Sequence, residues 1–525
     1  MAELTNVITY VSISNGMNYL YLFVFLLIAW IMAIYLLSPY IKKSGNFSLF
    51  GPALMLKFTK NRHVIDGIAK RFPAIKFSKV SVVIVFIAGI VSLVMLFYSA
   101  YLASFIRPSQ APPVTEFLGI PGINPAIPVG YGLLAIVISV VIHEMMHGIT
   151  ARKHGLKVDS VGALFFIVPV GAFVEPNQDE MTKADPVIRR RIFAAGPSIN
   201  IIIGIIFAVI LSTAMFAGAQ PIHQGLYIES SDTTVNPHIL PGTELISLGN
   251  YSGSAVMQAL QSPTFLPGSN VTVETFDGHS VSKGEAVAGV IIVSVISGYP
   301  AEKVPGNSVI LSIDNKTIYN LTTLDDVLNS IKPGTHISMK ILELPSYSLQ
   351  SYTMVTASKY SYYQQYDPSA NSVIYKNQSF IGVSVSYMGI SGYPLNELRN
   401  IIFLKEIYAN PIDGFITSIG LPFYGLNPVP VSLASMFSVP VNPTLFWGTV
   451  NILFWMFWIN IVLGITNALP FAFFDGGQFF KDTLTIWGRH IKSLRSEKTV
   501  NQVMYFLSFI VFFLILWEIV IPRII

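Results

Sequence analysis

The chain has 525 residues, of which 52% are apolar and only 11% are charged. A soluble chain with so few charged residues would have little to hold it in water, so the composition indicates a membrane protein. The absence of cysteine excludes disulfides and any cysteine-ligated metal site, and a net charge of only +4 gives no electrostatic support for nucleic-acid binding.

Six apolar runs are long enough, at about 20 residues each, to cross a bilayer as helices. No Lys or Arg precedes the first run, whereas a secretory signal peptide has a basic segment there, so we expect a retained membrane helix. The sequence therefore predicts a polytopic α-helical membrane protein with about six transmembrane helices, at Tyr19–Leu37, Val80–Ile106, Tyr131–Thr150, Ile192–Ala219, Leu445–Phe474 and Val500–Ile521.

A shorter apolar segment, Ser160–Pro176, follows the third run and contains Pro169 and Gly171. It is too short to span a bilayer, and it is predicted to form a re-entrant or interfacial β-hairpin whose backbone polar groups find partners within the protein. The later stretch 220–388 is polar, with short strand-like runs separated by turn residues. We therefore expect an inserted, mainly β region between the fourth and fifth helices.

The distribution of basic residues predicts the orientation, because loops rich in Lys and Arg stay in the cytoplasm. Segments 38–79, 152–191 and 481–498 are rich in basic residues, whereas 108–131 has none. Alternating these loops across six helices predicts that both termini and the inserted β region lie outside the cytoplasm of a multi-pass cell-membrane protein. The cytoplasmic ends of the third and fifth helices then lie at similar depth.

The third apolar run contains ionisable residues, which are costly in a membrane helix and indicate a functional site. His143 and His147 are four residues apart, so on a helix they face the same side and can bind one zinc ion. Glu144 lies beside the first histidine and can act as a general base toward the attacking water. A chance pattern on a core helix is the alternative, but unpartnered groups there would cost several kcal/mol.

A catalytic zinc site needs a third protein ligand. Asp475 is the leading candidate, although an Asp-Gly turn at a helix end explains that segment alone equally well. Asn200 and Asn467 lie in the fourth and fifth runs. Either side chain could donate to a substrate or a developing oxyanion, or could instead join two helices.

Three segments resemble the motifs of the site-2 protease family, whose members are intramembrane zinc metalloproteases. In chain order they are His143–Gly148, Gly196–Asn200, and Asn467–Pro470 followed by Asp475–Gly477. The resemblance implies regulated intramembrane proteolysis, in which a transmembrane segment of a membrane-protein substrate is cleaved. It also implies roles for six residues: the zinc ligands His143, His147 and Asp475, the general base Glu144, and the substrate-side residues Asn200 and Asn467.

The same family often carries PDZ domains in its external loop, and Gly289–Glu343 is similar to one, with a candidate helix from Leu324. Pro241–Asn250 resembles part of a second, degenerate copy. These likenesses imply a peptide ligand for the external region. The predicted division is a membrane portion at 1–219, PDZ-like domains at 220–286 and 287–388, an interfacial segment at 389–440, and a second membrane portion at 441–525.

Other functions stay open at this point. One is an inactive membrane scaffold or sensor that binds partners through the PDZ-like domains, although a scaffold has no need of buried ionisable groups. Another is a different class of polytopic HExxH peptidase, such as the CAAX-processing type, which typically uses Glu as the third ligand. A transporter is disfavoured because the two membrane portions show no repeat.

Overall fold

The computed structural model describes residues 25–524 apart from 26, 42, 45–46, 51–52, 59–62, 107, 109–110, 167 and 367–371. The chain divides into two compact units. We call the first the helical unit; it contains the chain up to Ser104, Pro108–Phe207 and Trp455–Ile524. The second, the β unit, is built mainly from Ala208–Phe454.

Five helices among the described residues are long and apolar enough to cross a membrane: α3 Ala74–Ala103, α4 Val129–Lys153, the continuous helix Pro186–Gly218, α15 Pro443–Ala468 and α17 Glu497–Ile524. The continuous helix consists of α6 (Pro186–Ile210), a π-helical turn and α7 (Phe216–Gly218). Each overlaps one of the last five predicted runs. The first predicted run, Tyr19–Leu37, lies partly outside the described residues and overlaps a shorter apolar helix, α1 (Leu27–Ile41). The protein is thus a multi-helical membrane protein with a β region, and the count of six spans stays a prediction.

The ends of these helices follow from local sequence. The Asp185 carboxylate accepts a hydrogen bond from the Val187 N–H at 2.7 Å and so satisfies a free amide at the start of α6. Helix α4 ends at Lys153, just before Gly155, whose φ of +87° is readily adopted by glycine. Helix α15 ends at Ala468, because the ring of Pro470 disfavours helical backbone at the preceding residue.

The predicted helix Leu445–Phe474 was therefore wrong at its C-terminal end. After Ala468 the chain forms tight turns, in which the Phe471 N–H donates to the Leu469 carbonyl and the Phe474 N–H donates to the Phe471 carbonyl. These turns end directly before α16 (Asp475–Trp487). Asp475 is thus the first residue of a new helix.

The helical unit also contains an antiparallel four-stranded sheet in the order β1–β2–β3–β4: Phe47–Phe50, Ala53–Phe58, Val158–Phe166 and Val168–Pro176. Strands β3 and β4 form the predicted hairpin. Strands β1 and β2 were not predicted. They lie in the segment 38–79, which was interpreted only as a loop because of its basic residues. Strand β4 packs against α4, where the Gly148 Cα lies so close to Val174 that an added Cβ would come within 2.6 Å of its Cγ1.

The β unit contains two larger sheets. The first has the order β10–β9–β7–β6–β19, with β8 paired to β7: Leu226–Ser231 (β6), Glu244–Leu248 (β7), Tyr251–Ser252 (β8), Asn270–Phe276 (β9), Val281–Val287 (β10) and Ile390–Pro394 (β19). The second has the order β15–β14–β12–β11–β18, with β13 paired to β12: Val290–Val295 (β11), Ser308–Ile313 (β12), Lys316–Thr317 (β13), His336–Glu343 (β14), Ser348–Val355 (β15) and Val383–Tyr387 (β18). Buried residues of both sheets belong to one hydrophobic cluster.

These two sheets are interleaved along the chain. Strand β19 completes the first sheet by pairing with β6, although every strand of the second sheet lies between them in sequence. The candidate helix from Leu324 is present as α9 (Leu321–Ser330), and the Asn320 side chain caps it by accepting from the Thr323 N–H at 2.9 Å. The predicted boundaries at 286/287 and 388/389 remain predictions, and β19 lies within the segment assigned to 389–440.

Shorter elements connect these parts of the chain. The helices are α2 His63–Arg71, α5 Gln178–Lys183, α8 Ala255–Gln261, α10 Lys359–Tyr366, α11 Leu395–Ile402, α12 Glu406–Ala409, α13 Pro411–Gly420 and α14 Val431–Ala434. The 3-10 turns are Val114–Phe117, Ser372–Tyr375 and Lys492–Leu494. The two-residue strands are β5 Gln220–Pro221, β16 Ala357–Ser358, β17 Ser379–Phe380 and β20 Phe437–Ser438.

Candidate metal centre

Helix α4 supplies two of the predicted metal ligands. His143 and His147 are one turn apart, and both are buried, with 5% and 7% of their surface exposed. Their imidazole rings lie 4.9 Å apart between centroids in an edge-to-face arrangement. Such burial in an apolar helix leaves both rings little access to solvent, so their nitrogens must be satisfied by other protein groups or by a metal.

Asp475 meets both imidazoles, although it lies more than 300 residues further along the chain. Its Oδ2 lies 2.9 Å from the Nε2 of His143 and 3.1 Å from the Nε2 of His147. The three ligand atoms all lie within 4.8 Å of one another and form the group of metal-ligating side chains found among the described residues. The turn after α15 and the start of α16 bring the carboxylate to this position.

The geometry of these three groups fits a zinc ion. Two imidazole nitrogens and one carboxylate oxygen are ligands that zinc accepts, and at bond lengths of about 2.0–2.1 Å tetrahedral ligand atoms lie about 3.3 Å apart. The observed separations of 2.9 and 3.1 Å from the Asp475 oxygen are within a few tenths of an ångström of that value. A four-coordinate zinc ion held by these three residues would keep one position for water or substrate, as a catalytic site requires.

Helix α6 approaches the histidine pair at Gly196. A Cβ atom added at this glycine would lie 2.3 Å from the Nε2 of His147 and 2.6 Å from the Nε2 of His143. The absence of a side chain therefore keeps open the space in front of both ligand nitrogens. This role of Gly196 was not predicted, although the Gly-Pro pair inside an apolar run signals an unusual helix.

Two groups of α6, each one helical turn from Gly196, contact the Nδ1 atoms of the two imidazoles. The Nδ1 of His147 lies 2.7 Å from the carbonyl oxygen of Ile192, and the Nδ1 of His143 lies 3.1 Å from the Asn200 side-chain nitrogen. Hydrogen-bond partners on the far side of a metal-ligating imidazole fix its ring orientation and tautomer. Sequence reasoning missed the Ile192 contact because a backbone carbonyl leaves no motif.

Glu144 and Asn467 are the remaining predicted site residues. Glu144 follows His143 on α4, and its Oε2 accepts a long hydrogen bond, 3.4 Å, from the Val174 N–H of β4. The Asn467 side chain donates to the Leu463 carbonyl of its own helix at 3.1 Å. That contact neither supports nor excludes a substrate-side role, so the assignments of Asn200 and Asn467 to the substrate stay predictions.

Polar contacts at two places stabilise the elements around the site. The Nε of Arg189 in α6 donates to Asp482 of α16 at 3.1 Å, and Asp482 is buried, so this ion pair ties together the helices that carry Asn200 and Asp475. In the four-stranded sheet, the Ser160 hydroxyl at 2.6 Å and the Lys57 ammonium at 3.2 Å hold the pKa of Glu175 below its usual range. The polar groups at this end of the hairpin are thus partnered within the sheet.

A buried His-Glu-x-x-His helix with a distant carboxylate is the residue set of a mononuclear metallopeptidase centre. The chain matches the model of peptidase family M50 over residues 131–511. This match covers more than half of the chain, so the protein belongs to peptidase family M50, the site-2 protease family of zinc metalloproteases. The resemblance predicted from the three motifs is thereby confirmed.

Individual relatives match parts of the chain. An uncharacterized protein of Methanocaldococcus jannaschii is 36% identical over 184 residues, which are 34% of this chain and 48% of that protein. The chain therefore spans about half the length of this relative. Among solved structures, the PDZ domain of an SdrC-like protein from Listeria monocytogenes matches with 17% identity and a TM-score of 0.15, covering 18% of this chain and 86% of that domain.

Proposed function

We propose that this protein is an intramembrane zinc metalloendopeptidase that cleaves transmembrane segments of membrane-protein substrates. The observation that carries the proposal is the convergence of Asp475 on His143 and His147 in a long apolar helix. Buried ionisable groups in a membrane helix are costly unless they serve a site. Membership of peptidase family M50 supports hydrolysis of peptide bonds as the chemistry.

His143, His147 and Asp475 hold the zinc ion in this proposal. When bound, zinc activates water for attack and polarises the scissile carbonyl. Glu144 accepts a proton from the attacking water and delivers it to the leaving amine nitrogen, so the C–N bond breaks to give a carboxylate and an amine. Its place beside His143 on α4 keeps the carboxylate next to the ligand set.

Strand β4 is the proposed docking edge for the substrate. It is the last strand of its sheet, and the Val174 N–H points away from β3 toward Glu144. A substrate helix shields its own peptide bonds by internal hydrogen bonding, so the segment must unwind before it is cleaved. The unwound segment can then pair with the outer edge of β4 as an added strand beside the general base.

The sidedness of the protein is part of the proposal. The basic segments 38–79, 152–191 and 481–498 support three cytoplasmic loops, with the active site toward the cytoplasmic side. The termini and the PDZ-like region then lie outside the cytoplasm, where the PDZ-like domains bind a peptide ligand. Release of a cytoplasmic substrate domain would make the enzyme a signalling protease.

The geometry favours this function over the alternatives. A peptidase class that uses Glu as its third ligand has no need of Asp475 within 3.1 Å of both imidazoles. Likewise, an inactive scaffold has no need of a glycine that keeps the space in front of two ligand nitrogens open.

Cleavage in proteoliposomes tests the proposal. The purified protein is combined with a panel of single-pass transmembrane segments that contain helix-destabilising residues, and products are identified by mass spectrometry. We expect cleavage within a transmembrane segment, reduced at least about 100-fold by Glu144→Gln, since removal of a general base costs roughly this factor. Glu397→Gln, at an exposed position in α11, serves as the control and should cleave like the wild type. Equal cleavage by Glu144→Gln and wild type would contradict the assigned role.

A further inference from the structure

Asn200 has an unbalanced hydrogen-bond environment. The residue is fully buried, and its side-chain nitrogen lies 3.1 Å from the Nδ1 of His143. Its side-chain oxygen is also buried and has no hydrogen-bond partner among the described residues. A buried amide oxygen without a partner is costly, so the arrangement calls for a physical explanation.

The tautomer of His143 decides which atom of the Asn200 amide can hydrogen-bond to its Nδ1. With a proton on Nε2, His143 can donate to Asp475 at 2.9 Å, and its Nδ1 can accept from the Asn200 amide nitrogen. When Nε2 binds a metal ion, the proton of the neutral ring must lie on Nδ1, which then needs an acceptor. Rotating the Asn200 amide by half a turn exchanges its nitrogen and oxygen in place and presents Oδ1 to that proton.

His147 has a different partner on the corresponding atom. Its Nδ1 lies 2.7 Å from the Ile192 carbonyl, and a carbonyl can only accept. A proton on the Nδ1 of His147 therefore has its acceptor in place, and Nε2 is the nitrogen that can bind a metal. Helix α6 thus contacts both ligands, but only the Asn200 amide can serve both tautomers.

We propose that Asn200 is a positioning residue for the metal ligand His143: its side-chain amide contacts Nδ1 at 3.1 Å and accepts the Nδ1 proton when Nε2 binds the metal ion. This inference rests on the metal-centre part of the proposed function. It assigns Asn200 to the ligand rather than to the substrate or a developing oxyanion. Asn200 therefore acts on metal affinity, whereas a substrate-side residue acts on turnover.

Zinc affinity of the full-length protein in detergent, measured by competition with a chromogenic chelator, tests the assignment. Asn200→Leu keeps the size of the side chain but removes the acceptor, and we expect zinc affinity to fall about 10- to 100-fold, as it does when an outer hydrogen-bond partner of a ligand is lost. Asn200→Asp keeps an acceptor, and its affinity should equal or exceed that of the wild type. The absorption spectrum of the cobalt-substituted protein should change in Asn200→Leu and not in Asn200→Asp.

Asn460→Leu is the matched control, because the buried Asn460 side chain donates to the Met456 carbonyl of its own helix at 2.7 Å, and it should bind zinc within twofold of the wild type. If Asn200→Leu also binds zinc within twofold of the wild type, Asn200 does not position His143 and the inference is overturned. Equal weakening in the Leu and Asp variants would also overturn it, because the acceptor would then be irrelevant. Failure of the wild type itself to bind zinc would instead overturn the metal centre on which the proposed function depends.

Discussion

Gly196 is the position on α6 where an added side chain would clash with both histidine ligands. It lies between the Ile192 and Asn200 positions on α6 and faces the Nε2 atoms of His143 and His147. A methyl group at this position would occupy space that the bound metal and its ligands need. The glycine of the Gly-Pro-x-x-Asn motif is thus explained by close approach to the metal centre.

We predict that Gly196→Ala lowers zinc affinity at least about 10-fold, since the added Cβ would displace both imidazoles from their positions around the metal. Chelator competition on the full-length protein measures the effect. Gly130→Ala in the first turn of α4 is the control, because no described atom outside its own helix lies within 4 Å of an added Cβ. Unchanged zinc affinity in Gly196→Ala would show that the helices do not approach as closely as described.

Glu244 is a fully buried carboxylate of the β unit. One oxygen accepts from the Gly225 N–H at 2.6 Å, while the other lies 3.7 Å from the Nδ1 of His223. Burial raises the pKa of Glu244 from 4.5 to about 7. The folded state therefore holds this proton more tightly than the unfolded chain does, and it loses relative stability as the pH rises from about 4.5 to about 7.

We predict that the β unit unfolds more readily at pH 8 than at pH 5, by about 2–3 kcal/mol from this group, since each unit of pKa shift corresponds to about 1.4 kcal/mol. Hydrogen exchange of its strands in the full-length protein measures the difference. Glu244→Gln removes the titrating group and should flatten the dependence over this range. A wild-type protein whose exchange protection rises between pH 5 and pH 8 would contradict the assignment.

At the scale of secondary-structure elements, helices α6 and α15 pack closely through glycines. A Cβ added at Gly464 would lie 2.7 Å from the Ile201 Cγ1 and 2.9 Å from the Pro197 carbonyl oxygen. Small residues at such crossings let membrane helices approach closely. The Pro197 carbonyl belongs to the backbone and cannot move aside as a flexible side chain can.

We predict that Gly464→Leu lowers the stability of the detergent-solubilised protein by about 1–3 kcal/mol, which is the usual effect of overpacking. The midpoint of thermal unfolding should fall relative to the wild type. Gly448→Leu, on the same helix but with no described atom within 4 Å of an added Cβ, is the control and should leave the midpoint nearly unchanged. A midpoint in Gly464→Leu equal to that of the control would rule out the close crossing.

The sequence predicted some elements well for physical reasons. A segment that crosses a lipid bilayer must pair its own backbone N–H and C=O groups in hydrogen bonds, which a helix does. The length of the apolar runs alone therefore indicated the five long helices. The hairpin Ser160–Pro176 followed from its short length and its Pro and Gly residues. Strands β1 and β2 could not be predicted, because the pairing of β2 with β3, which joins them to the sheet, depends on contacts about 100 residues away rather than on local pattern.

The sequence predicted those site residues whose side chains form a recognisable motif. His143, Glu144 and His147 follow from one helical turn, and Asp475 from the motif after α15. The Ile192 carbonyl and the contact between Asn200 and His143 were not predictable, because they depend on how α6 lies against α4. The asparagine itself was identified, but the atom it touches was not.

At the scale of the whole molecule, the chain joins a membrane metallopeptidase core to a β region of interleaved sheets. Strand β19 pairs with β6 across more than 150 residues of intervening chain, so the last strand of the first sheet follows every strand of the second sheet in sequence. Local periodicity identifies such strands but does not determine their partners. A peptide ligand for the PDZ-like β region remains a prediction.

Zinc content is the most direct test of the central claim, that His143, His147 and Asp475 form a single catalytic metal centre. The full-length protein, purified without chelators, is compared with its Glu144→Gln and Asp475→Ala variants by elemental mass spectrometry. We predict about one zinc per chain in the wild type and in Glu144→Gln. In Asp475→Ala we expect a small fraction of that amount, since a site with three protein ligands loses most of its zinc affinity when one ligand is removed. A wild type without zinc, or an Asp475→Ala variant that keeps a full equivalent, would contradict the account.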